Sequence, residues 1–323
     1  MGKLIFSIGL VVFGIGIGYS IQLFVKRKNL SLPMNDIRQI LQKLALLVFN
    51  PVAILGATWV ADIRNIKIAV LPFMGMTAIF SGGILAFFIA KMLKLTSKQT
   101  GSYIVSGGFT NIGSLGALFC FLFLGEKGFA LVPFYKLFEE AIYYAIGFPI
   151  AKSYSEDISQ TQSFLHRLKN AVTDKFVLVA VSSIGIGLFL NFSGITRPQG
   201  YATINSIFIP LAALLLLISI GMAMQFSSVT KYFKPGLIIA SIKFAVIPTL
   251  IFGLGVTLGL DQIDNGLPLK VVLILSSMPV GFIAMVPPTI YKLDIDIANA
   301  CWLITNAGLL IQIPLLLFFL QWI

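Results

Sequence analysis

Apolar residues run along this chain in long blocks rather than alternating with polar ones or recurring once per helical turn. Ten blocks lie near residues 4 to 25, 38 to 60, 67 to 92, 98 to 124, 128 to 151, 172 to 191, 203 to 226, 235 to 259, 269 to 291 and 295 to 322, each bounded by charged residues or by Pro, Gly or Asn. Most reach the roughly 20 residues that carry a helix across a bilayer. The pattern therefore predicts an all-α polytopic membrane protein of ten transmembrane helices, with no soluble domain. The first block follows a single Lys3, is too long for a secretory leader and has no small-residue cleavage site before "VKRKN", so it is expected to stay as an anchor.

Two blocks carry helix breakers at their centres. The ninth reads "SSMPVGFIAMVPPTIYKLD" from Ser276 to Asp294, with Pro279, Gly281, Pro287 and Pro288; the fourth contains "GGFTNIGS", with Gly107, Gly108 and Gly113. Backbone released from a helix at membrane depth cannot face lipid, so it must be satisfied by protein or line a cavity. Helices four and nine are thus expected to be discontinuous and to cross near the midplane. The half-helix N-termini of such a crossing present positive dipole ends, which favour an anion. Candidate cargo contacts are Asn111 with Thr110, Gly113 and Ser114, and Pro279, Gly281 and Pro287 opposite them. The plainer alternatives are that Asn111 caps the freed backbone and that the prolines only shape packing.

The chain also echoes itself. "GIGIGYSI" at Gly14 resembles "SIGIGLFL" at Ser183, "FNPVAIL" at Phe49 resembles "FIPLAAL" at Phe208, and the fourth block aligns with the ninth at an offset of 168, setting Asn111 on Pro279 and Gly113 on Gly281. Order is kept throughout. Five helices per half is an odd number, so the halves, 1–151 and 172–323, would run in opposite senses as a 5+5 inverted repeat. Residues 152–171 form the polar connection and hold the sole histidine, His166.

Composition agrees: 58% of residues are hydrophobic, 11% are charged and the mean hydropathy is +0.96. The net charge of +11 changes the picture only through its distribution. Fourteen Lys and Arg fall in one set of alternate loops against six on the other side, which predicts a cytoplasmic membrane location with the basic loops inside and both termini outside. The excess reflects topology, not a nucleic-acid surface. Cys120 and Cys301 lie in apolar helix sequence and read as packing residues.

Within the ten blocks the carboxylates read as intramembrane are Glu139 and Glu140, in "FYKLFEEAIYY". Lys136, three and four residues earlier, shares their helical face, so one pair neutralises and one carboxylate is left to take up and release a proton during transport. A buried structural ion pair is the competing reading. Lys243, about two turns inside helix eight, either snorkels to the headgroups or puts a positive charge beside an anion path or the glutamates.

The breaks "FTNIGSLG" and "MPVGFIAMVPPTIYKLDID", with "GY" at Gly18, "NP" at Asn50, "PLAALLLLISIGMAM" from Pro210 and "KFAVIP" from Lys243, resemble the auxin efflux carrier family over essentially the whole chain. The resemblance implies a fold related to the bile acid:sodium symporters, with helices 1, 2, 6 and 7 as scaffold and helices 3–5 and 8–10 as transport domain. It also implies elevator-type movement, a homodimer through the scaffold, and Asn111 and Pro279 beside the carboxylate of a small organic anion. The chain lacks the long cytoplasmic loop of the plant members, and helix nine has neither Glu nor Gln where sodium-coupled relatives place ion ligands. No enzyme motif, cofactor or metal site is expected: no Ser/His pair, aspartate pair in the membrane, zinc motif or phosphate-binding loop occurs. An anion channel or a receptor on the same scaffold is the alternative to a carrier, because alternating access leaves no mark in sequence.

Overall fold

A computed structural model describes residues 2–28, 31–61, 65–155, 169, 173–224, 226 and 229–323; His166 and most of the connection between the halves lie outside the described residues. In chain order the helices are α1 (Gly2–Arg27), α2 (Met34–Leu44), α3 (Asn50–Trp59), α4 (Leu71–Met92), α5 (Ser97–Gly108), α6 (Ala117–Tyr135), α7 (Glu139–Ile142), α8 (Phe148–Lys152), α9 (Lys175–Phe192), α10 (Tyr201–Gly221), α11 (Phe233–Ser241), α12 (Ile247–Thr257), α13 (Leu267–Ser276), α14 (Val286–Ile290) and α15 (Ile295–Phe319). Among the described residues the only extended pairing is a single bridge between Thr110 and Val280.

Among the described residues, eight helical stretches are long and apolar enough to cross a membrane. One of them, residues 112–152, turns at Gly125, whose φ of 73° is open to glycine and strained for other residues. The blocks read as spans four and nine fall outside the eight as single helices, because α5 stops at Gly108 after 12 residues and α13 at Ser276 after 10. The second block starts earlier than its apolar run: α2 begins at Met34 and is amphipathic, and its Arg38 Nε and Gln42 Nε2 donate to the carbonyl and hydroxyl of Ser219 at 3.2 and 3.0 Å.

The chain divides into two compact units. The first comprises Met1–Arg64, Gly113–Pro133 and Lys175–Met224. Within it α1 packs on α10 and α9 on α3. The matched glycines of the repeat sit at both contacts: a Cβ on Gly18 would strike the Ile218 carbonyl, and one on Gly187 the Thr58 hydroxyl. Only a hydrogen atom lets the backbones approach this far. Phe49 and Phe208, matched in the same way, meet edge to face with centroids 5.0 Å apart. Phe13, Phe189 and Phe192 project outward as apolar surface suited to lipid.

The first unit also holds a partly buried ion pair that the sequence does not announce. Glu126, read as a loop residue, lies inside α6 because that helix resumes immediately after Gly125. Arg197, between α9 and α10, binds both Glu126 oxygens and donates to the Gly56 carbonyl at 2.8 Å. The fully buried Asn205 amide donates to the same carboxylate.

The second unit comprises Asn65–Ile112, Phe134–Asp174 and Gln225–Ile323. Here α4 and α5 touch backbone to backbone at Gly82 and Gly107, each of which would lose its place to a Cβ. A capping box starts α5, with Thr96 Oγ1 accepting from Gln99 N–H and Gln99 Oε1 from Thr96 N–H. The Gln99 amide also reaches Tyr232 and Asp294; Tyr232 donates to Asp294 at 2.6 Å, and Asp294 caps α15 through Ile297 N–H. Burial, and then the bond to this carboxylate, push the Tyr232 hydroxyl above its ordinary pKa. One cluster thus fixes where α5, α11 and α15 begin.

Replacing Glu126 by Ala would leave the partly buried Arg197 and the buried Asn205 without their acceptor, at a cost of about 2 kcal/mol. The thermal transition of the purified protein is expected to fall by about 5 °C or more, and less in Glu126→Gln; an unchanged transition would show that the pair contributes nothing.

Candidate functional site

The site is built where α5 and α13 give out. After Gly108 the chain is extended at Phe109 (ψ 126°), and the other segment is extended at Gly281 (ψ 148°) before helical turns resume at Phe282. The two breaks satisfy each other. Asn111 N–H donates to the Pro279 carbonyl at 2.9 Å and Gly281 N–H to the Phe109 carbonyl at 3.1 Å, framing the Thr110–Val280 bridge. The bridging residues find side chains instead: Thr110 N–H donates to the Tyr143 hydroxyl at 2.9 Å, and Val280 N–H to Thr305 Oγ1 at 3.1 Å. Proline suits position 279 because it has no N–H to satisfy. Glycine suits 281 because a Cβ there would lie 2.9 Å from the Thr110 carbonyl oxygen.

A chain of buried polar groups leads away from this crossing. Lys243, 1% exposed, donates to Thr110 Oγ1 at 2.7 Å, and among the described residues no carboxylate lies within ion-pair distance of it. Tyr143 stacks on Phe109 at 4.0 Å and donates to Glu139 Oε1 at 2.9 Å, while the other oxygen of Glu139 lies 3.4 Å from Lys136 Nζ. Tyr143 and Lys243 both sit in π-type wide turns, Tyr143–Gly147 and Ile242–Val246. Such turns rotate the helical register and collect at functional sites.

The structure therefore brings together Thr110, Asn111, Pro279, Gly281 and Lys243, and links them through Tyr143 to Glu139 and Lys136. Glu140 lies outside the hydrogen-bonded chain, with Lys136, Glu139 and Asp174 as its charged neighbours. Pro287 belongs to the resumed helix, where its carbonyl accepts from Tyr291 N–H at 2.9 Å. Gly113 and Ser114 fall in the first unit and Asn111 in the second, so the chain passes from one unit to the other within the break.

Two members were missed from sequence. Tyr143 stands four residues after Glu139, a helical spacing that could have been read. Thr305 lies in α15 with no local signal. The same helix buries Asn299, Trp302 and Asn306, and among the described residues Trp302 Nε1 and Asn306 Oδ1 have no hydrogen-bond partner. Cys120 and Cys301 are buried as free thiols, and no cluster of three or more His, Cys, Asp or Glu is found among the described residues.

No family model matches the chain. It is 22% identical over 277 residues to a protein of Methanothermobacter thermautotrophicus named an uncharacterized transporter, covering 85% of this chain and 86% of the relative. It is 25% identical over 233 residues to a second uncharacterized transporter, from Methanocaldococcus jannaschii, covering 71% of this chain and 72% of that one. With eight apolar helices long enough to cross among the described residues, the chain is a multi-pass membrane protein in contact with the bilayer, similar over most of its length to archaeal proteins named as transporters.

Proposed function

We propose that this protein is a secondary carrier of a small organic anion, a carboxylate, of the auxin efflux carrier type. The observation that carries the reading is Lys243: a buried amine one hydrogen bond from the crossing, with no carboxylate within ion-pair distance among the described residues and Glu139 as its charged neighbour. An ionised group at this depth is costly unless it is paired, and an anionic cargo at the crossing supplies the missing partner. Asn111, Thr110, Pro279 and Gly281 line the place where that cargo binds, and the helical turns resuming at Phe282 add the positive end of their dipole.

The ten-span reading as a 5+5 inverted repeat draws support from the matched glycines Gly18 and Gly187, the matched pair Phe49 and Phe208, and the bond between Asn111 and Pro279, which the offset aligns. In this reading the second unit carries the cargo as an elevator against the first, the basic loops face the cytoplasm and both termini lie outside. Glu139 is held by Lys136 and Tyr143, and Tyr143 connects it to the crossing residue Thr110, which leaves Glu140 as the spare carboxylate that exchanges a proton.

A thermal-shift panel of mono- and dicarboxylates and indole acids on the purified protein tests the site. At least one carboxylate is expected to stabilise the wild type and to lose its effect in Asn111→Ala and in Lys243→Met. Lys243→Met should also raise the ligand-free transition, by about 1 kcal/mol or more, because it replaces a buried amine with an apolar side chain of similar length. A lower transition with the ligand response intact would make Lys243 structural and sink the reading. In proteoliposomes, Glu140→Gln is expected to remove the dependence of flux on a pH gradient while leaving carboxylate binding in place; an undiminished pH response would overturn the proton assignment.

A further inference from the structure

Within the second unit a groove of about 230 Å³ runs between α4, α5 and the α7–α8 segment. Phe80, Ile84 and Phe87 form one wall, Ile142, Ile146 and Ile150 another, and glycines 83, 108 and 147 keep its floor low. From Phe80 to Phe87 it extends about 10 Å along the helix axis. Ile84 and Ile150, on its lips, are 55% and 41% exposed, so it opens outward in a protein that is surrounded by lipid. Its lining offers water almost no partners, and apolar cavities of this kind are filled by hydrocarbon rather than by water.

One end of the groove is cationic. Lys91, one turn beyond Phe87, holds its ammonium 5.6 Å from the centre of that ring. Lys94 follows on the same connection and is also exposed. Tyr154 lines this end as well, where its carbonyl accepts from Ser97 Oγ at 3.1 Å. A slot parallel to a spanning helix, apolar along its length and basic at one mouth, has the layout of a lipid with an anionic headgroup. The other end reaches Gly108 and Phe109, whose carbonyl accepts the Gly281 N–H and whose ring stacks on Tyr143.

We propose that this groove is a specific site for an anionic phospholipid, with one acyl chain between α4 and α8 and the phosphate on Lys91 and Lys94. The bound chain ends against Phe109, whose ring stacks on Tyr143 and Phe148, and thereby steadies the crossing. The charge asymmetry places the basic mouth in the cytoplasmic leaflet, where anionic lipids concentrate. The site stands on its own geometry and does not require that the crossing bind a carboxylate.

The test is native mass spectrometry and thermal unfolding of the full chain in detergent, titrated with phosphatidylglycerol or phosphatidylcholine. Wild-type protein is expected to retain one phosphatidylglycerol and to gain thermal stability from it, in preference to phosphatidylcholine. Gly83→Leu fills the groove without a clash at its root, since the nearest atoms lie 3.9 Å from the added Cβ, and it should abolish both effects. Lys91→Gln, an exposed change that leaves the fold intact, should reduce the preference for phosphatidylglycerol about fivefold while acyl binding persists. Equal retention of the two lipids by wild type, or unchanged phosphatidylglycerol binding in Gly83→Leu, would mean ordinary annular lipid and overturn the proposal.

Discussion

Inside a bilayer a backbone N–H or C=O that leaves its helix has no water to turn to, and this constraint shapes the second unit. Two helices stop at depth, and each break supplies what the other lacks. Asn111 and Gly281 donate across the gap, Pro279 and Phe109 accept, and Tyr143 and Thr305 take the two bridging amides. Pro279 reduces the number of donors to be satisfied, and Gly281 permits the close approach. The breakers that weaken a helix are thus what make this short antiparallel pairing fit.

That pairing has electrostatic consequences. Thr110 cannot leave its position without releasing both Tyr143 and the ammonium of Lys243. Through Tyr143 the backbone of the crossing is joined to Glu139, so the position of that carboxylate and the geometry at Thr110 are mechanically connected. Backbone, amine and carboxylate thus share one hydrogen-bonded chain, and a change at one end alters the partners available at the other. The neighbouring groove meets the same chain from behind, at Phe109.

Much of this was legible in the sequence because its signals are local. Prolines, glycines and Asn111 inside apolar blocks marked both breaks, and Lys136, Glu139 and Lys243 stood out as charges within apolar sequence. What stayed hidden depends on distant partners. Glu126 looked like a loop carboxylate until α6 resumed behind Gly125 and brought it to Arg197 and Asn205, some 70 to 80 positions away. Thr305 resembles any helical threonine until Val280 N–H is found on it. Pro287, a breaker by type, is absorbed into the first turn of α14, where a missing N–H does no harm. The first residues of α2 escaped because their amphipathic pattern has too few apolar positions to extend the block.

The central claim, that the crossing carries an anion across rather than opening a path for it, is tested most directly by counterflow. Proteoliposomes loaded with an unlabelled carboxylate that stabilises the protein would be diluted into a trace of the labelled one. The account predicts saturable uptake that is accelerated by internal carboxylate and rises transiently above equilibrium. Flux that simply follows the gradient, without saturation and indifferent to what is inside, would contradict it and assign the protein to channels.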